Sequence, residues 1–247
     1  MKNNFGNNLP VINLYKKRNL KSTIDTQLLY GDNFKVVKKY SGWKKIKIKK
    51  DGYVGYIKNK KLSTPIKSNF KVSVMKARLY SKPSPKTMLN KFLSYESRLR
   101  VIKKKGKFAK FEKYWIKISD LKKTKFKNKD IFKDVSLFKN TKYLWGGKSY
   151  KGIDCSALIQ IFFNYNNKYC PRDSKAQEKF FKKKVKIKNI KKNDMIFWKG
   201  HVAIALSKKK LIHAYGPMKR VVIMDIKRTI ERIKRTANLQ ITSIRRN

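Results

Sequence analysis

The chain repeats itself, and the repeat limits what its first half can fold into. Leu14-Tyr15 returns as Leu79-Tyr80, 65 positions on, and Tyr30 and Val36 return at the same offset as Tyr95 and Val101. The later pattern Tyr53, Ile57, Leu62 returns as Tyr114, Ile118, Leu121 after a small deletion. Short alternating runs at Phe34–Val37, Trp43–Ile48 and Tyr53–Ile57 are punctuated by Gly31-Asp32, Ser41-Gly42 and Asp51-Gly52. Period-two alternation marks strands with one buried face, and Gly beside Asp or Ser marks tight turns. A repeat of this size made of short strands fits a small barrel. Two all-β barrels are expected, over residues 9–65 and 70–122.

Residues 123–134 are basic and read as a linker, with one helical turn expected before residue 140. From 135 to 247 the pattern predicts a helix from Asp154 to about Asn164. Strands are expected at Met195–Trp198, His201–Leu206, Leu211–Tyr215, Val221–Met224 and Leu239–Ile244. A helix followed by an antiparallel meander is an α+β arrangement.

The chemistry concentrates in this second half. In Gly152-Ile-Asp-Cys-Ser-Ala-Leu-Ile159, Asp154 is a good helix N-cap, which places Cys155 in the first turn. Free N–H groups and the helix dipole there favour a thiolate, the form that attacks carbonyls, and can also serve an oxyanion. The helix alone leaves the matter open, because Cys155, Leu158, Ile159 and Phe162 share one stripe that reads equally as core. The chain has only two histidines, His201 and His213, and both fall in predicted strands. If residue 201 or 203 pairs opposite 213, both rings share one sheet face. Ala203 and Ala205 follow on that face and leave room for a helix. A Cys–His–His site then becomes the sharper reading, with one histidine taking the thiol proton and the other orienting it.

These residues resemble the NlpC-type (NlpC/P60) cysteine peptidases, a papain-like family that cuts peptidoglycan peptides. The resemblance is carried by Asp154-Cys155-Ser156, by Asp194-Met-Ile-Phe-Trp-Lys-Gly-His201-Val-Ala-Ile, by Leu211-Ile-His213-Ala and by Ile241-Thr-Ser-Ile-Arg-Arg246. The stretches Leu9-Pro-Val-Ile-Asn-Leu-Tyr15, Tyr30-Gly-Asp-Asn-Phe-Lys-Val-Val37, Gly42-Trp43 and Gly52-Tyr-Val-Gly-Tyr-Ile57 resemble bacterial SH3-like domains. Together they are similar to γ-D-glutamyl-L-diamino acid endopeptidases that recycle muropeptides. The resemblance implies Cys155 as nucleophile, His201 as general base, His213 as the third triad member and Tyr143 at the oxyanion hole. It implies that Asp154 and Ser156 line the substrate groove. In Arg172-Asp173-Ser174 it implies that Asp173 and Ser174 meet a free N-terminal L-Ala amine, with the first barrel closing that end. Ala157 stands where many members have Gly, and Asp32 where many have Glu, so Asp25, Asp32, Tyr53 and Tyr56 all remain candidates for that barrel's contribution. Cys170 reads as core.

Composition supplies the competing reading. Lys and Arg number 66 against 14 Asp and Glu, a formal net charge of +52. Such a charge invites a basic binding protein for nucleic acid or an anionic wall polymer. The lysines are spread through every segment, however, and accompany the Asn and Ile of A/T-rich codons, so no dedicated nucleic-acid site is expected. Two cysteines exclude a disulfide-stapled scaffold, and their spacing from the histidines excludes a zinc finger. Neither metal nor cofactor is expected. No stretch approaches about 18 consecutive apolar residues and no leader is visible, so a cytoplasmic enzyme without a membrane span is expected.

Overall fold

The structure, a computed structural model, describes residues 4–59 and 62–247. Residues 60 and 61, inside the first expected barrel, lie outside it. The chain divides into two units, one of residues 1–127 with Trp145–Tyr150, the other of residues 128–144 and 151–247.

In the first unit, β1 (Val11–Tyr15), β2 (Ile24–Leu29), β3 (Asn33–Tyr40), β4 (Trp43–Ile48) and β5 (Val54–Lys58) form a sheet in the order β3-β4-β5-β1-β2, extended beside β3 by Asn4–Gly6. A second sheet holds β6 (Lys76–Tyr80), β7 (Met88–Ser94), β8 (Lys103–Lys105), β9 (Phe108–Phe111) and β10 (Tyr114–Lys117) in the order β8-β9-β10-β6-β7. The strand order therefore repeats with the sequence. Each module has its own core, one around Leu14, Phe34 and Ile46, the other around Leu79, Leu93 and Ile116.

The turn chemistry repeats as well. Gly31 sits at φ +87° and Glu96, 65 positions later, at φ +73°. The N–H groups that follow, of Asp32 and Ser97, donate to Leu29 and Ser94 carbonyls at 3.0 and 3.1 Å. Gly31 is required twice over, because a Cβ there would lie 1.9 Å from the Arg98 carbonyl oxygen.

Two expectations need correction. The sheets are open, not closed barrels: the outer strands Asn4–Gly6 and β2 of the first sheet do not pair with each other. Register breaks at Leu14/Tyr15 and Val36/Lys38 bend the strands around the core without joining those edges. Asp32, a candidate for substrate contact, is instead a buried structural anion. Its carboxylate accepts from the Leu29 N–H at 2.8 Å and pairs with Lys50 at 2.9 Å, while Lys50 also pairs with Glu96 of the second module. Burial alone would raise the Asp32 carboxyl, but Lys50 and Lys148 hold it at about 2.

The second unit is α+β. Its elements are α1 (Cys155–Tyr165), α2 (Ser174–Phe180), β11 (Met195–Trp198), β12 (His201–Ala205), β13 (Lys210–Tyr215), β14 (Arg220–Asp225), α3 (Ile226–Ala237) and β15 (Ile241–Arg246). The sheet runs β15-β11-β12-β13-β14, edged beside β15 by Lys183–Lys184. α1 packs against β12 and β13. The face bearing Ala203 and Ala205 is covered by α3, since Ile226 and Ile233 share their core cluster. The room expected there for a helix is thus filled by α3. Part of the stretch read as a linker belongs to this unit: Phe132 is buried, its ring edge-on to Phe162 and Phe163 at 6.0 and 5.9 Å. The expected helical turn is a 3-10 turn at Val135–Phe138.

Candidate active site

Cys155 opens α1, and the Asp154 carboxylate caps the helix by accepting the Ala157 N–H at 2.8 Å. The backbone N–H of Val202, the residue after His201, is directed at the cysteine sulfur, as is that of Ser156. β12 and β13 set Ile204 opposite Ile212 and Ala205 opposite Leu211. Extended by alternation, this register puts Ala203 opposite His213 and leaves both histidines on one face. Their rings meet: His201 Nε2 and His213 Nδ1 are 2.9 Å apart. Tyr215 stacks on His213 with centroids 4.6 Å apart and planes 11° apart, and Trp198 lies against His201 at 5.6 Å.

The protonation states differ from the expectation drawn from the helix end. Burial pushes the Cys155 thiol up to about 12, and the Asp154 charge adds to it. The Val202 N–H, the Arg172 guanidinium and the Ser156 N–H pull the other way and do not overcome burial. At only 7 % exposure the cysteine has too little water for the helix end to yield a resting thiolate. Burial likewise pushes His201 down to about 4, and burial and His201 together push His213 well below the usual histidine value. At neutral pH the three groups rest uncharged.

Stability follows from the same shift. His201 is neutral in both states above about pH 6.5, whereas between about 6.5 and 4 the unfolded chain takes the proton and the folded chain resists it. Stability is therefore full above pH 6.5 and falls as pH drops toward 4, by up to about 3 kcal/mol from this ring. Urea unfolding at pH 7 and pH 5 should show about 2 kcal/mol of that loss in the native chain and less in His201→Gln; equal losses would contradict the assignment.

Tyr143 lies in the same field. Burial, the cysteine and Asp154 all raise its phenol. Asp154 and Ser156, expected to line the groove, are buried and engaged. The Arg172 guanidinium grips both Asp154 oxygens at 3.0 and 2.6 Å and donates to Ser156 Oγ at 2.9 Å. Their polar atoms hold the helix start. Arg172 was visible in sequence only as the neighbour of Asp173; nothing short of the fold reveals that it reaches back 18 residues to the cap. Gln177 completes the brace by donating to the Ser156 and Pro171 carbonyls at 2.8 and 2.9 Å. Asp173 takes the N-cap position of α2 without capping it and is exposed, with Ser174 half-buried beside it. Cys170 is buried, as expected of a core cysteine. Among the described residues no cluster of His, Cys, Asp and Glu could hold a metal, and no helix is long and apolar enough to cross a membrane.

The domain that holds this cysteine and histidine pair is of the NlpC/P60 class. Residues 140–237 match the NlpC/P60 family and residues 14–62 match the bacterial dipeptidyl-peptidase SH3 domain, so the chain joins an NlpC/P60 domain to a bacterial SH3 domain. It is 28 % identical over 235 residues to a gamma-D-glutamyl-L-lysine dipeptidyl-peptidase of Bacillus subtilis, covering 85 % of this chain and 78 % of that one. It is 40 % identical over 74 residues to dipeptidyl-peptidase 6 of Lysinibacillus sphaericus, a stretch that spans 30 % of this chain and 27 % of that protein. A crystal structure of an NlpC/P60 family protein from Bacillus cereus shares the fold at a TM-score of 0.83 and 20 % identity, covering 98 % of this chain and 99 % of that one.

Proposed function

We propose that this chain is a cysteine peptidase that opens the bond between γ-D-glutamate and the diamino acid of peptidoglycan peptides. The observation that carries this is the 2.9 Å contact of His201 Nε2 with His213 Nδ1 beside a cysteine at a helix start. With Nε2 committed to His213, Nδ1 is the His201 nitrogen left to serve the thiol. A neutral pair transfers its proton as attack proceeds. Cys155 Sγ bonds to the carbonyl carbon while its proton passes to His201 Nδ1, and Tyr143 and helix-start N–H groups steady the oxyanion. The C–N bond then breaks as His201 returns the proton to the leaving amine, and water hydrolyses the thioester.

The names of the relatives support the γ-D-glutamyl bond, and the Arg172-Asp173-Ser174 motif supports a preference for a free N-terminal L-Ala. Because Asp173 is exposed, its grip on an ammonium contributes only about 0–1 kcal/mol by itself. Asp173→Ala should therefore soften that preference, not remove it. Recycling of released peptides in the cytoplasm belongs to the same reading and is open to cell fractionation. Digestion of L-Ala-γ-D-Glu-L-Lys peptides, free and N-blocked, with products read by mass, tests the assignment. Release of L-Ala-γ-D-Glu from the free peptide is expected. Intact peptide, alongside tight salt-sensitive binding of nucleic acid, would favour the basic binding protein instead.

A further inference from the structure

Two neutral imidazoles joined by one hydrogen bond can order their protons in two ways. In one, His201 Nε2–H donates to His213 Nδ1, and His201 Nδ1 keeps a lone pair. In the other, His213 Nδ1–H donates to His201 Nε2, the His201 proton moves to Nδ1, and no lone pair faces the thiol. Only the first order can accept a proton from Cys155.

The far side of His213 decides between them. His213 Nε2 lies 3.4 Å from Met224 Sδ, on β14. A thioether has lone pairs and no hydrogen, so the contact is favourable only when Nε2 carries the proton. That proton leaves Nδ1 bare and obliges His201 to donate. Among the described residues neither ring bonds or ion-pairs with a carboxylate. Asp225, next to Met224, is turned to the Arg228 N–H at the start of α3. Of the other rings against the pair, Tyr215 stacks on His213, and Tyr215 and Trp198 lie tilted against His201. In the β13–β14 register Met224 stands opposite Leu211 and Val222 opposite His213, so the methionine reaches the ring diagonally.

We infer that Met224 is a positioning residue that fixes the proton order of the histidine pair, holding His201 as the tautomer able to take the Cys155 proton. The tautomer follows from geometry alone, while its catalytic use rests on the peptidase reading above.

Nitrogen-15 NMR of the full chain at neutral pH reads the order directly. His213 should carry its proton on Nε2 and His201 on Nε2. Met224→Leu keeps the bulk but cannot accept, so the His213 signals should move toward a mixture of tautomers. Turnover at unchanged KM should fall about two- to fivefold, the worth of a weak hydrogen bond. A proton on His213 Nδ1 in the native chain overturns the proposal, as do unchanged nitrogen signals in Met224→Leu. The native spectrum alone decides if the variant fails to fold. If the native chain shows the expected order yet cleaves no peptide, the peptidase reading fails and the proton order stands.

Discussion

Cys155→Ala should abolish turnover, by at least about 10³-fold, and leave the fold in place. The loss is large because every covalent step runs through Sγ, and no other thiol can substitute: Cys170 is fully buried, its sulfur against the Pro171 carbonyl oxygen at 3.5 Å. The fold survives because Ala suits a first helical turn and the Asp154 cap does not involve the sulfur. Peptide release measured beside the far-ultraviolet circular dichroism of the same sample checks both halves. Residual activity within tenfold of the native chain would remove Cys155 from the nucleophile's role.

The largest loss of stability is expected at Arg172, which braces the start of α1. Its side chain is 1 % exposed and that of Asp154 10 %, so the pair is cut off from water. Arg172→Met would leave the Asp154 carboxylate buried with its main partner gone and Ser156 Oγ without its donor. Such one-sided removals cost about 3–5 kcal/mol. Urea unfolding followed by a probe in the second unit should report a loss in that range. Arg172→Met with Asp154→Asn should recover part of it, because asparagine still caps the helix and carries no charge. A loss below about 1 kcal/mol would show the pair to be well hydrated. The same variant should also slow catalysis, since the Arg172–Asp154–Ser156 brace sets where α1 begins.

Much of this was legible in the sequence, for reasons that differ by element. β4 and β11 match their expected bounds, because turn residues close off each run, Ser41-Gly42 before β4 and Lys199-Gly200 after β11. α1 ends within a residue of its expected limit, because Asp154 caps it and its apolar residues follow at helical spacing. Of the two registers that would put both histidines on one face, the sequence left the choice open, and the fold adopts the second. α3 was missed. Its apolar face is carried by Ile226, Ile230 and Ile233 among lysines and arginines, and that dilution hides the i, i+4, i+7 spacing behind the Asp225 cap. α2 was missed because seven residues barely make two turns.

The site's protonation could not be read from sequence. A helix N-terminus favours a thiolate only where water reaches it, and exposure belongs to the tertiary fold. The same limit hid the roles of Asp32 and Arg172. Both are charges whose partners lie at distant positions, Lys50 and Asp154, and no local pattern connects them. Met224 reads in sequence as one more apolar strand residue, and only its 3.4 Å approach to His213 gives it a chemical part.

Acid quenching during turnover, followed by intact mass and peptide mapping, tests the central claim most directly. With a γ-D-glutamyl-L-lysine substrate, the proposed mechanism predicts a thioester adduct of the L-Ala-γ-D-Glu acyl group on Cys155. That adduct should accumulate in His201→Ala only if loss of the histidine slows deacylation more than acylation, and should be absent from Cys155→Ala. Steady turnover by a chain that never carries an acyl group on Cys155, or that carries it on another residue, would contradict the account.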